Sequence, residues 1–303
     1  MRRKKVPLSW ICPITDFIAV YSNRGHAPSS VEIRRYQLCR FARDIAKPPY
    51  EVTAEDLERN VGEHLKSGQW KAETARAMRS THRVFYEWAH KTGRMPHNPA
   101  GELAQIKPGD RNPKPVSEDA FHAAVTRESF TLTIAGKPSR AYSDPALIRM
   151  ALRISGELGL RRAEVAQIHR DHILETADGY ELKVLGKGSK TRFLPLLSTL
   201  HADLVAHIDA RGGGFAFPSR RSPSGHLSPH WLGTLVSNAL PEGYTMHKLR
   251  HRFATQMYRR GDLLMASELL GHSNIGTTQI YVLPDRTRHR TIMGSLASGQ
   301  AEQ

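Results

Sequence analysis

Apolar residues recur at helical spacing from the start of the chain. Ile14, Phe17, Ile18 and Tyr21 fall on one face of a first helix. A second starts near Ser29 or Ser30 and carries Val31, Ile33, Tyr36, Phe41 and Ile45 until Pro48-Pro49 stops it. Thr53, with Asp56 three residues on, resembles a capping box, and Leu57, Val61 and Leu65 continue that helix. A fourth runs from about Lys71 to Lys91, with Met78, Val84, Phe85 and Trp88 as its core face. Arg76, Arg79 and Arg83 share another face, which is either solvated or turned to a polyanion.

The pattern breaks at Lys107-Pro108-Gly109-Asp110-Arg111-Asn112-Pro113-Lys114-Pro115, where three prolines and a glycine make a linker. This predicts a helical domain over 1–106, with 1–12 as a basic extension, a linker over 107–115, and a second domain over 116–303. Ser117 reads as an N-cap, and Asp144-Pro145 as a helix start, since proline at the first helical position loses no hydrogen bond. Between Asp178 and Leu196 the period changes to two. Tyr180, Leu182 and Val184 alternate with polar residues, Gly186-Lys187-Gly188-Ser189-Lys190 turns the chain, and Arg192 to Leu196 returns. Helices resume from Leu200, and a loose tail follows Gly294. The expected class is mainly α with a small antiparallel β-sheet.

Charge narrows the partners. There are 44 Lys+Arg against 29 Asp+Glu, a formal net charge of +15. Residues 1–105 contribute +7 and residues 106–303 contribute +8, so both domains favour the same polyanion, as in a clamp. Cys12 and Cys39 have no CxxC partner, which argues against zinc and a disulfide framework and fits a reduced, cytosolic setting. No stretch approaches the length of a membrane span, and Pro7, Pro13 and Asp16 interrupt what the basic Met1–Lys5 start would need to become a signal peptide.

The chain has no GxxxxGK[ST], no GxGxxG after a strand and no HExxH. His247 and His251 are four apart but lack a third metal ligand, and Arg250 between them opposes a cation. Three basic clusters stand out instead. Gly159-Leu160-Arg161-Arg162-Ala163-Glu164-Val165 places arginine at the start of a helix after a glycine. Gly186 to Arg192 is a charged hairpin tip, with Lys190 and Arg192 as further DNA-contact candidates beside Lys187. His247-Lys248-Leu249-Arg250-His251 puts His247 and Arg250 on one helix face, followed by Leu270-Gly271-His272 and Tyr281. Breaking a phosphodiester without metal needs cations for the phosphoryl oxygens, a nucleophile and a proton for the leaving oxygen, and these clusters supply all three. Taken singly, each also has a plain structural reading.

Together the clusters resemble the tyrosine recombinase (phage integrase) family. GLRRAEV is similar to its GLRxSEL box, GKGSKTR followed by Pro195 to its lysine turn, and HKLRH with Phe253-Ala254-Thr255 to its HxLRHxFAT box. ELLGHS through Thr277-Thr278-Gln279-Ile280-Tyr281 resembles its ELLGHSxxxTTxxY ending. Ala163 and Val165 depart from the usual serine and leucine, and Arg162 doubles the charge. The resemblance implies a helical core-binding domain before an α+β catalytic domain with a tail from about residue 284. It implies that Arg161, Arg250 and His272 hold the scissile phosphate, Tyr281 attacks to leave a 3′-phosphotyrosine, Lys187 protonates the 5′-oxygen, and His247 assists as base. Glu164 would brace the first arginine box and His251 would be structural. It implies no cofactor and no metal, double-stranded DNA attachment sites as partner, a tetramer exchanging strands through a Holliday junction, and accessory DNA-bending or directionality proteins. It places the enzyme in the host cytoplasm with the nucleoid. A mobile-element integrase is the reading preferred here. An Xer-like resolvase of chromosome dimers, a non-catalytic DNA-binding regulator and a type IB topoisomerase are the alternatives.

Overall fold

The computed structural model describes residues 5–109, 114–134, 137–139, 144–186, 190–241, 243–260 and 263–271. The chain divides into two compact units, Met1–Arg111 and Asn112–Gln303, and the division falls within the proline-rich stretch 107–115.

In the first unit four helices, α1 (Leu8–Asn23), α2 (Pro28–Asp44), α3 (Ala54–Lys66) and α4 (Ala72–Lys91), enclose an aromatic core. Trp10 lies edge-on to Phe41 at 5.5 Å and stacks on Phe85 at 5.8 Å, while Phe17 meets Phe85 and Trp88 edge-on. Such pairs add about 0.5–1.5 kcal/mol each to what burial contributes. The Trp10 Nε1–H donates to the Lys47 carbonyl at 3.0 Å, which satisfies the one polar atom that ring buries. Thr53 and Asp56 close a reciprocal capping box on α3, and Lys47 Nζ lies 2.6 Å from Asp56.

Three expectations for this unit change. Residues 1–12 are not all extension, because α1 begins at Leu8 and Trp10 is fully buried. The helix also runs through Pro13, whose ring is buried. The second helix starts at Pro28, one or two residues earlier than expected, with proline in its first turn. Its inward face is Leu38, Phe41 and Ala42, whereas Ile33 and Tyr36 face solvent at 56% and 51% exposure. Apolar character alone did not separate the two faces of that helix.

In the second unit α6 (Pro145–Glu157) is the central element. It packs against α5 (Glu118–Thr126), α7 (Arg162–Ala166), α8 (Ser198–Asp209), α9 (Pro229–Ala239) and α10 (Met246–Arg260). Ser117 and Asp144 cap α5 and α6 as the sequence predicts, accepting from the amides of Ala120 and Leu147. The hairpin is β4 (Gly179–Leu185) with β5 (Thr191–Leu196), antiparallel, Leu182 opposite Leu194. Leu182, Val184, Leu194 and Leu196 face the helices.

A third strand, β3 (Ile173–Thr176), pairs with β4, and a two-stranded ladder, β1 (Leu132–Ile134) with β2 (Lys137–Ser139), precedes α6. Both are too short to show a period in sequence. Among the described residues a further helix, α11 (Leu263–Leu270), packs on α10. The molecule is thus mostly helical with a small antiparallel sheet, as its sequence predicts.

Candidate active site

The site is organised around a buried carboxylate. Gly159 takes a left-handed φ of +64° after α6, and a Cβ there would stand 2.4 Å from the Phe253 ring, so only glycine fits. The chain then reaches Arg161, the cap residue just before α7. The amide of Arg161 donates to Glu164 Oε2 and its Nη1 to Glu164 Oε1, both at 2.8 Å. From β5, Arg192 forks onto the same carboxylate with Nη1 at 3.0 Å and Nη2 at 2.9 Å, and its Nε donates to the Leu269 carbonyl. Arg250 Nη1 comes within 4.0 Å of Glu164 Oε2. Glu164 is 5% exposed, yet the Arg192 fork and the amide and side chain of Arg161 outweigh its desolvation and hold its carboxyl below the usual range. It stays an anion that fixes Arg161 and Arg192, the bracing role the resemblance implies.

Arg250 is 1% exposed, on α10. Nη1 donates to the Gly159 carbonyl and Nη2 to the Leu270 carbonyl, each at 2.7 Å. The guanidinium thereby ties the Gly159 turn to the end of α11, where Gly271 adopts φ +65° against the Arg192 side chain.

One turn before Arg250, His247 is exposed and meets His251 edge-on at 4.8 Å. Desolvation, then the charges of Arg250, Arg161 and Arg162, hold the His247 imidazole below its ordinary pKa. His251 is pushed down to about 4, mainly by desolvation. A pocket of about 730 Å³ opens over Arg161, Arg162 and His247, with His230, Thr234 and Asn238 of α9 as its far wall. A neutral imidazole beside fixed guanidiniums can take a proton from a nucleophile while the cations hold an anion.

Of the sequence-predicted catalytic set, Arg161, His247 and Arg250 come together here. Lys187, His272 and Tyr281 lie outside the described residues, as does the tail from 284. Among the DNA-contact candidates, Lys190 is exposed beside the hairpin turn, its carbonyl accepting from Gly186 N at 2.7 Å. Arg192 points inward and its fork serves Glu164. Arg76 and Arg83 are exposed and line a groove of about 790 Å³ with Arg24 and Lys91. Arg79 also lines it but is half-buried, donating to the Leu103 carbonyl. Sequence reasoning noted that Arg162 doubles the charge but gave it no role, and it passed over the α9 wall. Their signal is the second arginine of GLRRAEV and the helical spacing of His230, Thr234 and Asn238.

Residues 133–288 match the phage integrase family. The chain belongs to that family. It is therefore a tyrosine recombinase, an enzyme of DNA strand cleavage and rejoining in site-specific recombination. Tyrosine recombinase XerC of Pseudomonas fluorescens is 31% identical over 281 residues, covering 85% of this chain and 88% of the relative. XerC of Rhodospirillum centenum is 33% identical over 213 residues, 66% of this chain and 58% of the relative. In fold, the chain matches a lambda integrase tetramer bound to a Holliday junction, with TM-score 0.69 and 16% identity over 90% of this chain and 76% of the integrase.

Proposed function

We propose that the pocket over Arg161 and His247 receives the scissile phosphate of a double-stranded DNA site. The observation that carries this reading is the group of cations gathered at that pocket, with Glu164 buried beneath it to hold Arg161. In the reaction, Arg161, Arg250 and His272 stabilise the charge that develops on the phosphoryl oxygens. The Tyr281 oxygen attacks phosphorus and the bond to the 5′-oxygen breaks. The tyrosine proton passes to His247, and Lys187 gives a proton to the 5′-oxygen. The product is a 3′-phosphotyrosine with a free 5′-hydroxyl, and the reverse steps rejoin a strand. Bond energy is kept in the phosphotyrosine, so no nucleotide is consumed.

Met1–Arg111 serves as the core-site DNA-binding unit, with Arg76 and Arg83 as its phosphate contacts. By analogy with the lambda integrase assembly, four copies act on a Holliday junction. Among the described residues no helix is long and apolar enough to cross a membrane, which fits work on DNA in the cytoplasm. A mobile-element integrase is the first reading. A second, resolution of chromosome dimers, is favoured by the XerC names of relatives that align over most of both chains.

The test uses supercoiled plasmid carrying the DNA that flanks this gene, with chelator present and a detergent quench. A protease-sensitive covalent adduct with wild type, absent with Tyr281→Phe although that variant still binds DNA, supports the reading. Adduct mapped to the flanking DNA favours the integrase. No adduct on the flanking DNA, with adduct on a second plasmid set carrying chromosomal DNA from elsewhere, favours the resolvase.

A further inference from the structure

The pocket contains one cation that the family motifs leave unassigned. Arg162 is the first residue of α7, is exposed, and lines the same pocket as Arg161 and His247. Its neighbours also bond within the protein: Arg161 and Arg192 to Glu164, and Arg250 to the carbonyls of Gly159 and Leu270. Arg162 makes no hydrogen bond or ion pair among the described residues. Its stem runs past Gly233 of α9, where an added Cβ would lie 3.5 Å from Arg162 Cδ. An exposed arginine at the pocket with its fork unspent can offer that fork to an anion.

Consecutive residues at a helix start do not face each other, so Arg162 enters the pocket from a different direction than Arg161. We propose that Arg162 binds the backbone phosphate next to the one that is cut, and so seats the scissile phosphate against Arg161 and Arg250. This rests on the pocket being the phosphate site. A second consequence follows from charge. The groups around His247 are Arg161 and Arg162 from α7, Lys248, Arg250 and His251 on its own helix, and His230 across the pocket on α9. Removing Arg162 takes away one of the cations that keep the imidazole neutral.

The test compares wild type, Arg162→Gln, Arg162→Lys and Arg161→Ala on the plasmid region where wild type forms its adduct. Arg162→Gln is expected to melt like wild type, because the side chain is exposed. It should reduce the slope of log affinity against log salt by about 0.9, the value for one phosphate contact. Its cleavage should fall several-fold at physiological salt and recover at low salt, with the acid limb of its pH profile moved to higher pH. Arg162→Lys should keep the salt slope and the acid limb. A wild-type slope and pH profile in Arg162→Gln, with cleavage lost in Arg161→Ala, would overturn the proposal and leave the phosphate site standing. So would equal losses of slope in the Gln and Lys variants. Undiminished cleavage by Arg161→Ala would overturn both.

Discussion

Glu164 is a carboxylate in the interior whose charge is worth keeping only because Arg161 and Arg192 bond to it and Arg250 lies close by. Removing one side of such a buried pair typically costs about 3–5 kcal/mol, since the remaining charges stay buried and uncompensated. Glu164→Gln should therefore lower the melting temperature of the catalytic unit by on the order of 10 °C. It should also depress cleavage, because Arg161 loses its anchor. An unchanged melt would show that the arginines hold themselves without the anion. The pH dependence has a definite sign. The folded pKa of Glu164 is depressed, so its contribution is complete above the ordinary glutamate pKa of about 4.3 and is lost as pH falls through the folded value. Identity and spacing of Arg161, His247 and Arg250 were legible in the sequence, because the motif residues are contiguous. That Arg192 turns inward to Glu164 was not, since the pairing joins residues 28 apart through the sheet.

At the scale of elements, the turn between α6 and α7 positions the chemistry. Gly159 combines a left-handed φ with a Cβ position 2.4 Å from Phe253, and its carbonyl accepts from Arg250. Gly159→Ala should cost about 2–4 kcal/mol through strain and overpacking, and should reduce cleavage as Arg250 shifts. Gly25→Ala is the matched control: the φ is +77° but nothing lies within 4 Å, so only about 1 kcal/mol is expected. Equal effects at both positions would remove the packing explanation. Helix caps and the β4–β5 hairpin were readable because their signals are local: Thr53 with Asp56, Ser117, Asp144-Pro145 and the Gly-rich turn. Strand β3 was not, because four residues supply no period and its place depends on β4. The start of α1 was missed because Pro7 and Pro13 read as breaks, although Trp10 between them fills the core.

The molecule divides into two units, each with its own core. His82 lies in the first core, fully buried beside Phe41, with no hydrogen-bond partner for either ring nitrogen among the described residues. Burial pushes its pKa down to about 3. The depressed value means the stability it permits is complete above pH about 6.5 and falls by about 1.4 kcal/mol per unit below it. The first unit should lose about 2 kcal/mol between pH 7 and pH 5, seen as a lower denaturant midpoint, and His82→Leu should flatten that loss. A midpoint equally pH-sensitive in the variant would point to another group. The even spread of charge over both units was visible from composition, and it is the property that suits a chain engaging DNA along its length. The proposal that Tyr281 carries the DNA is tested by mapping the covalent adduct. Wild-type protein trapped on cleaved plasmid is digested with protease and nuclease, and the nucleotide-bearing peptide is sequenced by mass spectrometry. A nucleotide on Tyr281, with no adduct from Tyr281→Phe, is the predicted result; a nucleotide on any other residue, or an undiminished adduct in the variant, would contradict it.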